Sequence, residues 1–127
     1  MQFPRKLNIP LYRDLEIFSI NVDENKVIAV TGTNGKSTTV SLIGNMIASE
    51  DKNIFIGGNL KPPLINALKF NSYYQYIIEL SSYQLESAPS FNSYISILLN
   101  IFKASSSSIA DRCTSVVIGN HTHTLNL

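Results

Sequence analysis

The stretch KVIAVTGTNGKSTTVSLIGNMIASE, residues 26–50, confines this chain to a narrow set of folds. Its first six residues, Lys26 to Thr31, are apolar and largely β-branched after the lysine, the pattern of a buried strand. A turn follows that holds two glycines, a lysine and several hydroxyl residues. From Ser37 to about Glu50 apolar residues recur at helical spacing, and Val40, Ile43, Met46 and Ile47 are expected on one face. A glycine-rich turn between a strand and a helix leaves backbone N–H groups pointing outward. The helix N-terminus adds its positive dipole end, and together they favour phosphate.

The rest of the chain repeats the alternation. NIFIGGN (residues 53–59) reads as a second strand stopped by glycines, YQYIIEL (74–80) as a third and SYISILLNI (93–101) as a fourth. The fourth is nearly all apolar, as a strand covered on both faces would be. Pro62 and Pro63 stand where a helix could begin, with LINALKF continuing it. Strands alternating with helices imply an α/β fold with a parallel sheet and right-handed crossovers. On such sheets ligands bind outside the carboxyl ends of the strands. GTNGKST, GGN and ELSSYQ all fall at those ends, which points to a single site. After Ile101 the pattern weakens. KASSSSIADR reads as polar linker, with the run Ser105 to Ser108 the plainest part of it, TSVVIG as one more candidate strand and NHTHTLNL as a tail.

Composition sets the outer limits. A chain of 127 residues can bury roughly two-thirds of its unfolded surface, enough for one core. Apolar residues at 44% and charged residues at 15% describe a globular chain. A net charge of +1 gives no field that would draw it to nucleic acid or to an anionic membrane. The lone Cys113 excludes an internal disulfide framework and fits a reducing compartment. The longest apolar run, YISILLNIF, is about half of what a spanning helix needs. The expectation is a soluble intracellular protein.

Each candidate residue has a plain structural reading beside the functional one. Lys36, closing the turn, can reach terminal phosphates, and Ser37 or Thr38 can ligate Mg²⁺. The loop is a shortened G-x-x-G-K-S form, with Val30 where the usual pattern has glycine. Glu79 ends an apolar strand. It is as compatible with pointing at solvent as with binding metal, and the nearby GKST favours metal. The glycines before Asn59 are well explained by a tight turn. His121 and His123 have a spacing seen in metal sites, but in a tail without a third ligand they read as surface residues.

These residues carry a resemblance. VTGTNGKSTTVSLIGNMI, IGGN and IIELSSYQLES together resemble the Mur ligase family. The TGTNGK loop is shared with folylpolyglutamate synthases, whereas ELSSYQLE after GGN resembles the D-glutamate-adding branch of the Mur ligases. NIPLYRDLEIFS resembles the end of that branch's first domain, so the resemblance runs over about residues 7–101. It implies a P-loop-type central domain of a cytoplasmic, monomeric, ATP- and Mg²⁺-dependent ligase. That ligase activates a substrate carboxylate as an acyl phosphate, which the amine of D-glutamate then attacks. The substrates implied are UDP-N-acetylmuramoyl-L-alanine and D-glutamate, both small molecules. By motif position, Gly32, Thr33, Asn34, Gly35, Lys36, Ser37 and Thr38 would hold ATP. Ser37 and Glu79 would ligate Mg²⁺, Lys36 and Glu79 would be the catalytic residues, and Asn59 and Ser81 would contact the muramoyl substrate.

The chain also departs from the family. Residues 1–24 are expected to be the tail of a preceding domain, 25–101 part of the ATP-binding domain, and 102–127 an unrecognised segment. Where the family has a histidine after LLNI and a short acidic stretch, Ser105 stands here. The expectation is therefore a piece of the ATP-binding domain with a rearranged end, such as a truncated or shifted reading frame would give. Two readings follow: an enzyme of the D-glutamate-adding type represented by a fragment, or a non-enzymatic remnant with at most weak nucleotide binding. A folylpolyglutamate-synthase-like ligase is the enzymatic alternative, and ELSSYQLE argues against it.

Overall fold

The computed structural model describes residues 8–48, 52–70 and 73–99, and the backbone of one further strand, residues 113–118. Helix α1 is Asp14–Asn21. Strand β1 (Val27–Gly32) leads into α2 (Lys36–Ala48), and β2 is Ile54–Gly58. Strand β3 (Gln75–Glu79) leads into the single-turn α3 (Ser82–Glu86), followed by β4 (Ser93–Leu99) and β5 (Cys113–Ile118). The strands form one sheet in the order β2-β3-β1-β4-β5. Every pairing in it is parallel. The α/β class and the parallel sheet expected from the alternation are thus present. The TSVVIG segment expected as a strand falls in β5, on the edge.

Alternation along the strands divides the interior between the two faces of the sheet. Val27 and Ala29 of β1, Phe55 of β2 and Tyr76 and Ile78 of β3 join Leu15, Phe18, Leu64, Leu80 and Leu85 in one cluster. Its aromatic rings meet edge to face, with Phe18 and Tyr76 centroids 5.6 Å apart and Tyr73 and Tyr76 5.5 Å apart. Ile28 and Val30 of β1 and Ile77 of β3 face the other way and pack on Val40 of α2, with Ile43, Ile47, Ile54 and Ile56 around them. A sheet apolar on both faces needs cover on both, and α2 on one side with α1 and the 63–70 segment on the other supply it.

Three local expectations differ from the structure. Met46 lies outside the core face of α2 and is 72% exposed. The buried stripe is Val40, Ile43, Gly44 and Ile47, the i, i+3, i+4, i+7 set, from which residue 46 is offset by about a third of a turn. LINALK forms a 3₁₀ helix, Leu64–Lys69, instead of an α-helix. Its two buried side chains, Leu64 and Ala67, are three apart and line up in a helix of three residues per turn. α3 was not foreseen. Ser81 starts it by accepting from the Gln84 N–H, while the Gln84 side chain accepts from the Ser81 N–H, a reciprocal capping box.

Candidate functional site

Register places the unusual residues together. Val30 is level with Glu79 across β1 and β3, Gly58 with Glu79 across β2 and β3, and Gly32 with Leu99 across β1 and β4. The carboxyl ends of four neighbouring strands therefore finish on one edge. Glu79 follows Ile78 by one residue, so period-two alternation turns its side chain to the Ile77 face, where α2 lies. The helix begins at Lys36, and Ser37 is in its first turn. The Ser37 hydroxyl donates to Glu79 Oε2 at 2.8 Å.

Glu79 is only 5% exposed. A carboxylate taken that far from water needs compensation, and a neutral hydroxyl supplies less than a cation would. Two hard oxygen donors on neighbouring elements, one of them a carboxylate, suit a small divalent cation such as Mg²⁺. Among the described residues no group of three or more His, Cys, Asp and Glu could hold a metal by itself. Mg²⁺ is usually held by one or two protein groups plus water and substrate phosphates.

The loop is shaped by its two glycines and by β4. Gly32 has φ +141 and Gly35 has φ +84. The Thr33 N–H donates to the Leu99 carbonyl at 3.2 Å, and the Thr39 N–H opens the helix ladder by donating to the Gly35 carbonyl at 2.9 Å. The Lys36 ammonium donates back across the loop to the Gly32 carbonyl at 2.7 Å, so it spans the loop's mouth. Asn34 and Thr38 are exposed beside it. The first N–H groups of α2 lie beyond the reach of its own ladder and carry the positive end of its dipole.

The remaining candidates sit at the same edge in different roles. The Asn59 N–H donates to the Glu79 carbonyl at 2.8 Å, and its side chain is exposed. The Ser81 hydroxyl is engaged with Gln84, accepting from its N–H at 3.2 Å and contacting Oε1 at 3.3 Å. Ser81 thus has a structural task as the start of α3. Ser105, His121 and His123 lie outside the described residues. Two participants escaped the sequence reading. Leu99 offers only a backbone carbonyl to the loop, and a backbone contact leaves no mark on residue type. Gln84 was legible, because S-x-x-Q ahead of a helix is a capping signature.

A parallel α/β sheet with a strand, glycine loop and helix at its carboxyl edge, and a carboxylate on the adjacent strand, is the architecture of the phosphate-loop class of α/β domains. Residues 30–106 match the model of the Mur ligase middle domain, and the chain belongs to the Mur ligase family. Its relatives include the UDP-N-acetylmuramoylalanine--D-glutamate ligase of Wolbachia pipientis wMel, 44% identical over 102 residues, which cover 80% of this chain and 20% of that enzyme. The enzyme of the same name from Rickettsia prowazekii is 40% identical over 94 residues, covering 74% of this chain and 21% of the relative. The one from Desulfotalea psychrophila is 42% identical over 79 residues, covering 61% and 17%. The chain therefore spans about a fifth of the length of these relatives. No helix among the described residues is long and apolar enough to cross a membrane.

Proposed function

We propose that the chain carries the nucleotide-binding part of an ATP- and Mg²⁺-dependent ligase that joins D-glutamate to UDP-N-acetylmuramoyl-L-alanine in peptidoglycan precursor synthesis. The observation that carries the nucleotide reading is the Ser37–Glu79 contact of 2.8 Å at the start of α2, beside the loop that Lys36 spans. The substrate reading leans on the names of the relatives and on the ELSSYQLE segment. In domain terms, residues 25–101 are read as part of the central domain and residues 1–24 as the tail of a preceding one.

The chemistry asked of these residues is placement and charge neutralisation. The loop N–H groups, with those of Ser37 and Thr38, hold the β- and γ-phosphates. Lys36 releases the Gly32 carbonyl and turns its ammonium to the phosphate charge. Ser37 and Glu79 would hold Mg²⁺, which would supply charge neutralisation at the phosphate oxygens during transfer of the γ-phosphoryl group to the substrate carboxylate. The amine of D-glutamate then displaces phosphate from the resulting acyl phosphate, giving the amide. Asn59 and Ser81, just past the ends of β2 and β3, are read as contacts to the muramoyl substrate, a small molecule, and the setting is read as the cytoplasm.

The test is equilibrium binding of a fluorescent ATP analogue to the purified chain with Mg²⁺. Saturable binding that unlabelled ATP displaces and that Lys36→Ala weakens supports the reading. Binding that Lys36→Ala leaves unchanged refutes it.

A further inference from the structure

Glu79 can meet Ser37 only while its own backbone stays in place, and that backbone lies against the end of β2. Gly58 is the register partner of Glu79. Its φ is +114, a conformation that L side chains rarely adopt. A Cβ at this position would stand 2.3 Å from the Glu79 carbonyl oxygen, 3.1 Å from its nitrogen and 3.2 Å from its carbonyl carbon. All three are backbone atoms with no rotamer to swing aside. One residue on, the Asn59 N–H closes on the same carbonyl at 2.8 Å. The chain thus leaves the sheet by laying a bare backbone against Glu79 and then clasping it.

We infer that Gly58 is a positioning residue for the Ser37–Glu79 pair, setting where the carboxylate stands for Mg²⁺ while touching neither metal nor nucleotide. The inference rests on the reading of that pair as the metal-holding one. A methyl group at position 58 must move the Glu79 peptide by roughly an ångström to reach ordinary contact. The Ser37–Glu79 distance of 2.8 Å has no slack to absorb such a shift. Gly57 gives a matched comparison. A Cβ there would stand 2.3 Å from the Pro62 carbonyl oxygen and 2.7 Å from the Phe55 ring, equally crowded but against the 62–63 turn instead of Glu79.

The experiment measures affinity of the full chain for a fluorescent ATP analogue twice, with saturating Mg²⁺ and with EDTA, and takes the ratio. Gly58→Ala is expected to lower the ratio about tenfold, toward that of Glu79→Gln, the size usual when a metal ligand loses its support. Gly57→Ala is expected to keep the unmutated ratio despite a comparable loss of melting temperature. If Gly58→Ala keeps the ratio, or Gly57→Ala loses it equally, the inference is overturned while the metal reading stands. A ratio near one in the unmutated chain, or one that Glu79→Gln leaves unchanged, overturns the metal reading and the inference with it. Should Gly58→Ala not fold, hydrogen exchange on the unmutated chain decides. Reciprocal coupling requires the Asn59 amide to gain protection with Mg²⁺ and nucleotide over nucleotide with EDTA. No gain overturns the inference.

Discussion

Replacing Gly32 by alanine tests how the phosphate loop is held open. The added Cβ would lie 2.0 Å from the Leu99 carbonyl oxygen, 2.8 Å from its carbon and 2.9 Å from its Cα. A backbone at φ +141 adds strain of about 1–3 kcal/mol for a residue with a side chain. Relieving the overlap means parting the ends of β1 and β4, which also breaks the Thr33–Leu99 hydrogen bond, worth about 1 kcal/mol. The total is about 2–4 kcal/mol, a large share of the 5–15 kcal/mol typical of a whole domain. Gly35→Ala is the matched control in the same loop. Its nearest contact would be Leu99 Cδ1 at 3.9 Å, so only the strain of φ +84 applies, about 1–2 kcal/mol. Urea unfolding followed by far-UV circular dichroism compares the two. At a slope of about 1–3 kcal/mol per molar, the Gly32→Ala midpoint should fall by about 1–2 M. A loss in Gly32→Ala no greater than in Gly35→Ala would refute the claim that contact with β4 shapes the loop.

Lys36→Ala should cost about 1.5–3 kcal/mol of nucleotide affinity through the lost charged contact while shifting the melting temperature little; a fluorescence titration paired with a thermal melt checks both. Ile78→Ala empties a fully buried position between β1 and β2 and should cost about 2–5 kcal/mol of stability in a chemical denaturation curve. Ser81→Ala should cost about 1 kcal/mol through the lost cap of α3, read the same way, and a neutral result would show that the capping box contributes nothing. The 127-residue chain by itself, given ATP, Mg²⁺, UDP-N-acetylmuramoyl-L-alanine and D-glutamate, should yield neither phosphate nor amide, because ligation depends on holding all the reactants together and the chain spans about a fifth of its relatives' length. Stoichiometric release of both, lost in Lys36→Ala, would show that the site is self-sufficient.

The strands and the loop were legible because each leaves a residue-type signature. β-branched runs mark β1 and β3, and two glycines with a lysine mark the turn between β1 and α2. The nearness of Glu79 to Ser37 was legible too, since a parallel sheet must bring the end of β3 and the turn that leads from β1 into α2 to one edge. Met46 was placed wrongly because apolar character alone was counted, and Gly44, which belongs to the buried stripe, carries no apolar signal. α1 was not read as a helix, its residues entering only as resembling the end of a preceding domain, although Leu15 and Phe18, three apart, are its two buried residues. The 3₁₀ form of 64–69 goes with burial of only Leu64 and Ala67, three apart, a choice among the apolar residues of LINALKF that their order alone does not make. Gly58 looked like ordinary turn chemistry, and its crowding against Glu79 exists only in three dimensions.

The strand order also sets a timetable. β1 pairs with β3 and β4 and with nothing made before them. A nascent chain that has emerged as far as β2 holds every residue of the phosphate loop and none of the neighbours that shape it. β3 then supplies Glu79, and only the last residue of β4, Leu99, accepts the Thr33 N–H and closes the loop's far side. Pairings between residues so distant along the chain form slowly and late. Chains stalled on the ribosome short of β4 would therefore expose the apolar β1 and α2 faces. For this fold the hazardous interval of synthesis is the one between the end of α2 and the end of β4, and a chaperone would have the most to protect there.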